Sequence, residues 1–287
     1  MTIRNPVEWG SETFRQGTHA LGTGGHAVYH QEDINGLVPA ICRIGVEDLK
    51  DALRKGVEDF GVYRTDVIFL CLIYPIVGIV LARAVFGGDM LQLLFPLASG
   101  FALIGPFAGI GLYEMSRRRE EGVTIGWQDA FGVLRSPSFG AILALGVILF
   151  AVFGLWLLAA QLIYTMTMGS STPDTIGALM HQVFTTPAGW ALIVLGCGVG
   201  LLFAVLALSI SVVSFPLLLD RKVSVSTAIW TSVQAVAKNP RTMAVWGLIV
   251  TAGLVLGSIP LFIGLAIVMP VLGHATWHLY RKTVKRV

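Results

Sequence analysis

Apolar runs long enough to cross a bilayer dominate this sequence. A membrane helix needs about 20 mostly apolar residues to span a hydrocarbon core of about 30 Å, and a helix satisfies its own backbone hydrogen bonds there. None of the runs has an Asp, Glu, Lys or Arg near its centre. The sequence therefore predicts an all-α, polytopic membrane bundle of six transmembrane helices, over residues 67–86, 91–115, 139–166, 190–219, 243–257 and 260–280.

Composition supports a membrane protein. The chain is 55% hydrophobic and 13% charged, with a mean hydropathy of +0.75, whereas soluble domains average about 45–50% apolar and about 25% charged. The three cysteines stand far apart in no ligand spacing. They predict neither a disulfide framework nor a metal site. The N-terminus lacks the pattern of a cleavable signal peptide.

The basic residues predict the orientation. Of the 20 Lys and Arg residues, all but Arg83 lie before the first run, after the last, or in the second and fourth connections. Because basic residues collect on the cytoplasmic side of membrane proteins, we expect both termini in the cytoplasm. The polar, glycine-rich residues 1–44 are expected to form a flexible cytoplasmic arm, and residues 45–287 the membrane domain.

One segment occurs twice. Residues 106–119 recur as residues 270–282, with Tyr113 matched by Trp277. Each copy closes an apolar run with a proline, a glycine, an aromatic residue and basic residues, which is typical of the cytoplasmic end of a membrane helix. The basic residues that we expect to fix the topology are Arg117, Arg118, Arg119, Arg281 and Lys282.

Three amphipathic segments precede pairs of apolar runs. Residues 46–63 have apolar residues at helical spacing, and two similar segments surround Trp127 and Trp230. The sequence thus predicts three repeats of a cytoplasmic amphipathic helix plus a transmembrane hairpin, with Trp127, Trp230 and Trp277 at the membrane interface. The first helix has five acids and three bases on its polar face, which argues against binding to anionic lipid. That face is interpreted as solvated or as a docking surface for another protein.

Candidate cofactor ligands are few. His274 and His278 are four residues apart on one helix face, a spacing that can share a metal or ligate haem. No further ligand is recognisable at their depth, and an interfacial belt with Trp277 and Tyr280 is the favoured interpretation. No P-loop, Ser/His/Asp arrangement, metal signature or nucleic-acid surface is found. We expect no enzyme activity, no cofactor, no metal and no nucleic-acid partner.

Small and hydroxyl residues indicate helix packing. Glycines four apart let helices approach closely. Serines at 209, 211 and 214 could line a polar path, although hydrogen-bonded packing is favoured because serine commonly bonds its own helix backbone. The glycine pairs expected to pack are Gly105 and Gly109, Gly196 and Gly200, and Gly253 and Gly257.

The residues also suggest a family. Asp48 to Asp59 (DLKDALRKGVED), Asp66 to Leu70 (DVIFL), Tyr74 to Gly78 (YPIVG) and the stretch from Gly105 to Arg118 resemble a family of bacterial predicted integral membrane proteins, the domain of unknown function 2189. The resemblance extends over roughly residues 40–285. It implies an inner-membrane protein of six spans and brings no catalytic residues.

The expected function is non-catalytic. The chain is predicted to be a scaffold or an accessory or assembly factor of a membrane complex, with respiratory and photosynthetic complexes considered. Its expected partners are the lipid bilayer and another membrane protein that contacts the cytoplasmic amphipathic helices. The alternative is a channel or carrier for a neutral or lipidic solute.

Overall fold

The protein is helical in the part of the chain that the structure describes. This computed structural model describes residues 39–71, 76, 83, 91–123, 132–133, 136–169, 175–260 and 263–285. A short 3-10 turn, Leu91–Leu93, precedes the second helix. The helices are α1 (Val46–Cys71), α2 (Leu94–Ala108), α3 (Ile110–Glu120), α4 (Phe139–Met168), α5 (Ile176–Thr185), α6 (Pro187–Ser211), α7 (Ser214–Asp220), α8 (Val225–Lys238), α9 (Pro240–Ser258) and α10 (Leu265–Thr283).

Some predicted features lie outside the described residues. They are most of the N-terminal arm, most of the first apolar run with its turn, and the second amphipathic segment with Trp127. The first and third amphipathic segments are helical, as predicted. The first forms the start of α1, and the third is α8, whose first turn is capped by the Ser224 side chain accepting a hydrogen bond from the Thr227 amide.

Within the described residues, three helices are long and apolar enough to cross a membrane. They are Phe139–Met168, Pro187–Asp220, which combines α6 and α7, and Pro240–Ser258, with mean hydropathies of 2.8, 2.7 and 1.4. They agree with the third, fourth and fifth predicted spans. Their outward faces display leucines that are 69% exposed, namely Leu158, Leu202 and Leu248. Such faces suit lipid contact.

The second predicted span is not one helix. It is divided into α2 and α3 at Gly109. Pro106 lies inside α2, where its ring removes a backbone donor and weakens the last turn. The sixth predicted span also differs, because α10 begins at Leu265 and continues to Thr283 through Pro270. Neither qualifies as a long apolar helix among the described residues.

α1 and α10 pack together as an antiparallel pair. The crossing is close at Gly56, where an added Cβ would lie 2.7 Å from the Val271 carbonyl oxygen and 2.8 Å from the Ala275 Cβ. Leu49 and Ala52 are buried in the same core as Trp277. The beginning of α1 is therefore part of the helical bundle.

Residues 40–44 connect the start of α1 to two distant parts of the chain. The Cys42 amide donates to the Thr283 carbonyl at 2.8 Å, and the Lys285 amide donates to Ala40 at 2.9 Å. Asn239 accepts from the Ile44 amide at 2.9 Å through Oδ1 and donates to the Cys42 carbonyl at 3.1 Å through Nδ2. This segment, assigned to the flexible arm by its composition, is bound to the bundle because its backbone finds these partners.

Candidate functional site

α1, α3 and α10 meet around a buried carboxylate. Asp59 is 4% exposed. Its Oδ2 accepts a hydrogen bond from Ser116 Oγ at 2.6 Å and lies 2.9 Å from His278 Nε2. Its Oδ1 accepts from the Arg119 guanidinium. We name Asp59, Ser116, Arg119, His274 and His278 the Asp59 cluster.

His274 extends the cluster into the core. Its side chain is fully buried, and Nδ1 lies 2.8 Å from Ser116 Oγ. Because the Ser116 hydroxyl donates to Asp59, it must accept from the ring, which places the imidazole proton on Nδ1. The other ring nitrogen, Nε2, is buried and makes no hydrogen bond. The tautomer is thus set by the carboxylate through one hydroxyl.

The carboxyl group of Asp59 favours its ionised form. Burial raises its pKa, but hydrogen bonds from His278 and Ser116 outweigh burial, so its pKa is below the ordinary value. A negative Asp59 faces the positive Arg119. The cluster is therefore an ion pair held among three helices.

A second group of charges continues the cluster to α7. Arg281 Nε lies 3.0 Å from Glu120 Oε2, and its Nη1 lies 3.2 Å from Asp220 Oδ2. The Tyr280 hydroxyl donates to the same Asp220 oxygen at 2.6 Å. His278 Nδ1 lies 3.9 Å from Glu120 Oε1, which links the two groups. Polar interactions thus join α1, α3, α7 and α10 at one end of the bundle.

The serine, histidine and aspartate are close together but do not form a catalytic triad. In a triad the histidine lies between serine and carboxylate, whereas Ser116 lies between Asp59 and His274. Ser116 is also 1% exposed. The sequence predicted no Ser/His/Asp arrangement. The structure brings these three residue types together, but the serine lies between the other two, and the contacts serve to pack the helices.

Residues 94–220 match the family model described as Predicted integral membrane protein (DUF2189). The resemblance to this family is confirmed, over the part of the chain from α2 to α7. No curated protein and no solved structure matches the chain. With its three long apolar helices, the chain is an integral membrane protein. Asp59, His274 and His278 lie outside the stretch that matches DUF2189, whereas Ser116 and Arg119 lie within it.

The predicted interfacial belt on α10 is corrected. His274, Trp277, His278 and Tyr280 are 0%, 0%, 8% and 1% exposed, so they do not form a belt facing lipid. α1 and α3 cover this side of α10, and the sequence pattern of α10 alone does not reveal that cover. Within the described residues, no group of three or more His, Cys, Asp and Glu side chains could hold a metal ion.

The predicted basic residues all make ion pairs with carboxylates. Arg117 and Arg118 bond to Glu114, which is 2% exposed. Arg119 and Arg281 contact the groups described above, and Lys282 lies 2.9 Å from Asp51 Oδ2. The Lys282 hydrogen bond is the main cause that lowers the pKa of the Asp51 carboxyl. Arg119, Arg281 and Lys282 thus join different helices, whereas the pairs of Arg117 and Arg118 lie within α3.

The acids of α1 divide between two surfaces. Asp48, Asp51 and Asp59 face Lys282 or Arg119. The exposed acids pair along the helix, Glu47 with Lys50 and Glu58 with Arg54. The excess of acids over bases in this segment is therefore balanced by basic residues elsewhere in the protein. The outer face of α1 instead combines paired charges with valines that are about half exposed: Val46 at 51%, Val57 at 54% and Val62 at 57%.

Only some of the predicted glycine pairs touch a neighbour. An added Cβ at Gly200 would lie 3.0 Å from the Trp156 ring, at Gly253 3.2 Å from Val268, and at Gly257 2.8 Å from Leu265. At Gly109 it would meet only the Tyr113 side chain, and Gly105 and Gly196 have nothing within 4 Å.

Close approaches outside the predicted pairs include Gly56 and Gly273, where a Cβ would lie 2.6 Å from Leu112. The repeated segment contains Gly273 at a position equivalent to Gly109, and this recurrence was a sign that Gly273 is structurally important.

Two serines of the fourth span, Ser211 and Ser214, bond to backbone. Ser211 donates to the Ala207 carbonyl at 2.6 Å, and Ser214 donates to the Ile210 carbonyl at 2.6 Å and to Ala228 at 3.0 Å. Both are buried. These contacts favour packing over a polar path. Trp230 is 56% exposed on α8.

Proposed function

We propose that the protein is a non-catalytic scaffold or accessory subunit of a bacterial inner-membrane complex, of the respiratory or photosynthetic class. In this proposal the chain has six transmembrane helices and cytoplasmic termini. The observation that carries it is the division of α1 into two faces. One face is locked to α3 and α10 by the Asp59 cluster, and the other presents half-exposed valines among paired charges.

The lock gives the outer face a fixed position. A partner that binds a preformed surface does not have to order it first, and this favours affinity. The central residues Val57 and Glu58 are adjacent to Asp59, whose ion pair with Arg119 connects them to α3. The charges on the outer face are already paired along the helix. Burial of the valine side chains by a partner would therefore stabilise a complex more than burial of the charged side chains.

The proposed orientation rests on one end of the bundle. Arg119, Arg281 and Lys282 all contact carboxylates at that end, and the positive-inside rule assigns such a concentration of basic residues to the cytoplasm. α1 would therefore meet a partner in the cytoplasm or one that extends into it. The six proposed spans are the three long apolar helices, α10, α2 together with α3, and the first apolar run.

The test is purification from native membranes in mild detergent, followed by mass spectrometry. We expect a membrane protein at a reproducible ratio in the wild type, and its loss in Val57→Asp. Val123→Asp is the matched control, because Val123 is a 47% exposed valine outside α1. A wild-type protein that purifies alone would contradict the proposal. Passage of a neutral solute into vesicles that contain only this protein would favour the channel or carrier alternative.

A further inference from the structure

α5 has a wider apolar surface than the protein covers. Leu179 and Val183 are buried at 6% and 9%, whereas Ile176, Met180 and Phe184 are 37%, 42% and 57% exposed. At about 100° per residue, the centres of these two sets lie roughly 80° apart on the helix. They form one continuous apolar arc, of which only one side packs on the bundle. The opposite arc contains His181, Gln182 and Thr185.

The buried side fixes α5 across the ends of two long helices. Leu179 and Val183 form a small core with Tyr164 of α4, and Leu192 and Ile193 of α6 pack against it. α5 therefore lies at the level of the last turns of α4 and the first turns of α6. A helix at this level of a membrane protein is at the boundary between hydrocarbon and water.

The corner between α5 and α6 is rigid. Thr186 alone separates the two helices, and its hydroxyl accepts from the Gly189 amide at 3.0 Å to cap α6. A Cβ at Gly189 would lie 2.2 Å from the Val183 carbonyl oxygen, so the two backbones are in close contact. Thr175 caps the other end of α5 by accepting from the Ala178 amide at 3.1 Å. The exposed apolar side thus has a fixed direction relative to α6.

That exposed side continues the lipid-facing surface of α6. Trp190 and Val194, in the first two turns of α6, are 55% and 67% exposed, and α6 belongs to a helix apolar enough to cross a membrane. Tryptophan is enriched where membrane helices enter the bilayer. We propose that α5 is an interfacial helix and that Ile176, Met180 and Phe184 insert among the lipids beside Trp190.

The chemistry of α5 specifies the kind of lipid contact. Residues 167–189 contain no Lys or Arg, whereas helices that bind anionic headgroups carry basic residues on their polar face. Insertion should therefore depend on apolar area and be equal on neutral and anionic membranes. The occupant is the lipid surface and not a second protein.

Spin labelling of the full-length protein tests this. In a background with Cys42, Cys71 and Cys197 replaced by Ser, single variants Met180→Cys and Phe184→Cys are compared with the controls His181→Cys and Thr185→Cys on the polar arc. Folding of each variant is checked by circular dichroism. In phosphatidylcholine vesicles, the ratio of oxygen to water-soluble nickel accessibility should be severalfold higher at 180 and 184 than at 181 and 185. Adding phosphatidylglycerol should leave the ratios unchanged.

Three results would overturn the inference. One is a water-like ratio at all four positions. Another is protection of 180 and 184 from both oxygen and nickel, which would indicate contact with protein, for example with a second copy. The third is lipid access that occurs only with phosphatidylglycerol present. The inference does not depend on α1, so it can hold or fail independently of the proposed scaffold role.

Discussion

α6 and α10 belong to one bundle but have opposite surroundings. In the helix from Pro187 to Asp220, only 6% of the most apolar window is buried, and leucines face outwards. In α10, the residues from Gly273 to Tyr280 are all buried, and they include two histidines. The comparison shows that the more apolar of these two helices has the surface that the bundle leaves exposed, whereas the helix with polar residues is buried by other helices that supply partners.

The partners explain why α10 tolerates its polar residues. An ionisable group removed from water is stable when it is paired and hydrogen-bonded. α1 supplies Asp59, and α3 supplies Ser116 and Arg119. The middle of α6 is itself apolar. The two helices thus show one rule applied in two environments.

The largest expected effect is loss of the central carboxylate. Asp59→Ala leaves Arg119 and His278 without their partner, and breaking a buried pair destabilises by about 3–5 kcal/mol. We expect a value toward the lower end, because the Arg119 side chain is 34% exposed and screened by solvent. Thermal unfolding in detergent measures it. Glu58→Ala, at a neighbouring exposed acid, should change stability little, and equal effects of the two variants would contradict the account.

A second effect concerns the close crossing of α1 and α10. Gly56→Val would force side-chain atoms against the Val271 carbonyl and Ala275, and overpacking of this kind costs about 1–3 kcal/mol. Gly105→Val is the control, since an added Cβ there has nothing within 4 Å. The melting temperatures of the two variants should separate clearly. If Gly56→Val melted like Gly105→Val, the crossing would be looser than described.

Acid should weaken the same region. The folded pKa of Asp59 is below its unfolded value, so its contribution to stability is present above the unfolded pKa of about 3.9 and is lost as pH falls through the folded value. We expect the melting temperature of the wild type to fall below about pH 4 more steeply than that of Asp59→Asn. Equal slopes would show that Asp59 does not contribute to the acid response.

The smallest effect is expected on the outer face of α1. The Lys50 to Glu47 pair has side chains that are 67% and 84% exposed, and exposed pairs contribute about 0–1 kcal/mol. Lys50→Gln should therefore unfold like the wild type in detergent. A marked loss of stability would mean that this face is covered within the protein, and it would weaken the distinction between the two faces of α1.

The sequence predicted what depends on local pattern. The apolar runs at 139–166, 190–219 and 243–257 are long helices, and the amphipathic periods over 46–63 and 224–240 are helical. Asp59 and His278 could not be paired in this way, because they are separated by 219 positions and no local pattern connects them. One signal was present: the five acids of this segment outnumber its three bases, and Asp48 and Asp59 indeed find their basic partners on other helices.

The two copies of the repeated segment are alike in the burial of their aromatic residues but differ in the structure around their glycines. Tyr113 and Trp277 are both buried, at 2% and 0%, as equivalent positions should be. Gly109, however, separates two helices, whereas Gly273 lies inside one and admits Leu112. The difference arises because Gly273 contacts another helix, which a comparison of the two sequence copies does not include.

The coupling between Asp59 and His278 tests the central claim most directly. A double-mutant cycle with Asp59→Asn and His278→Ala, measured by unfolding in detergent, isolates the interaction between the two side chains. The account predicts a coupling of about 0.5–3 kcal/mol, the range for residues in direct contact. Additive effects of the two substitutions would contradict it, since α1 and α10 would then not meet through these residues.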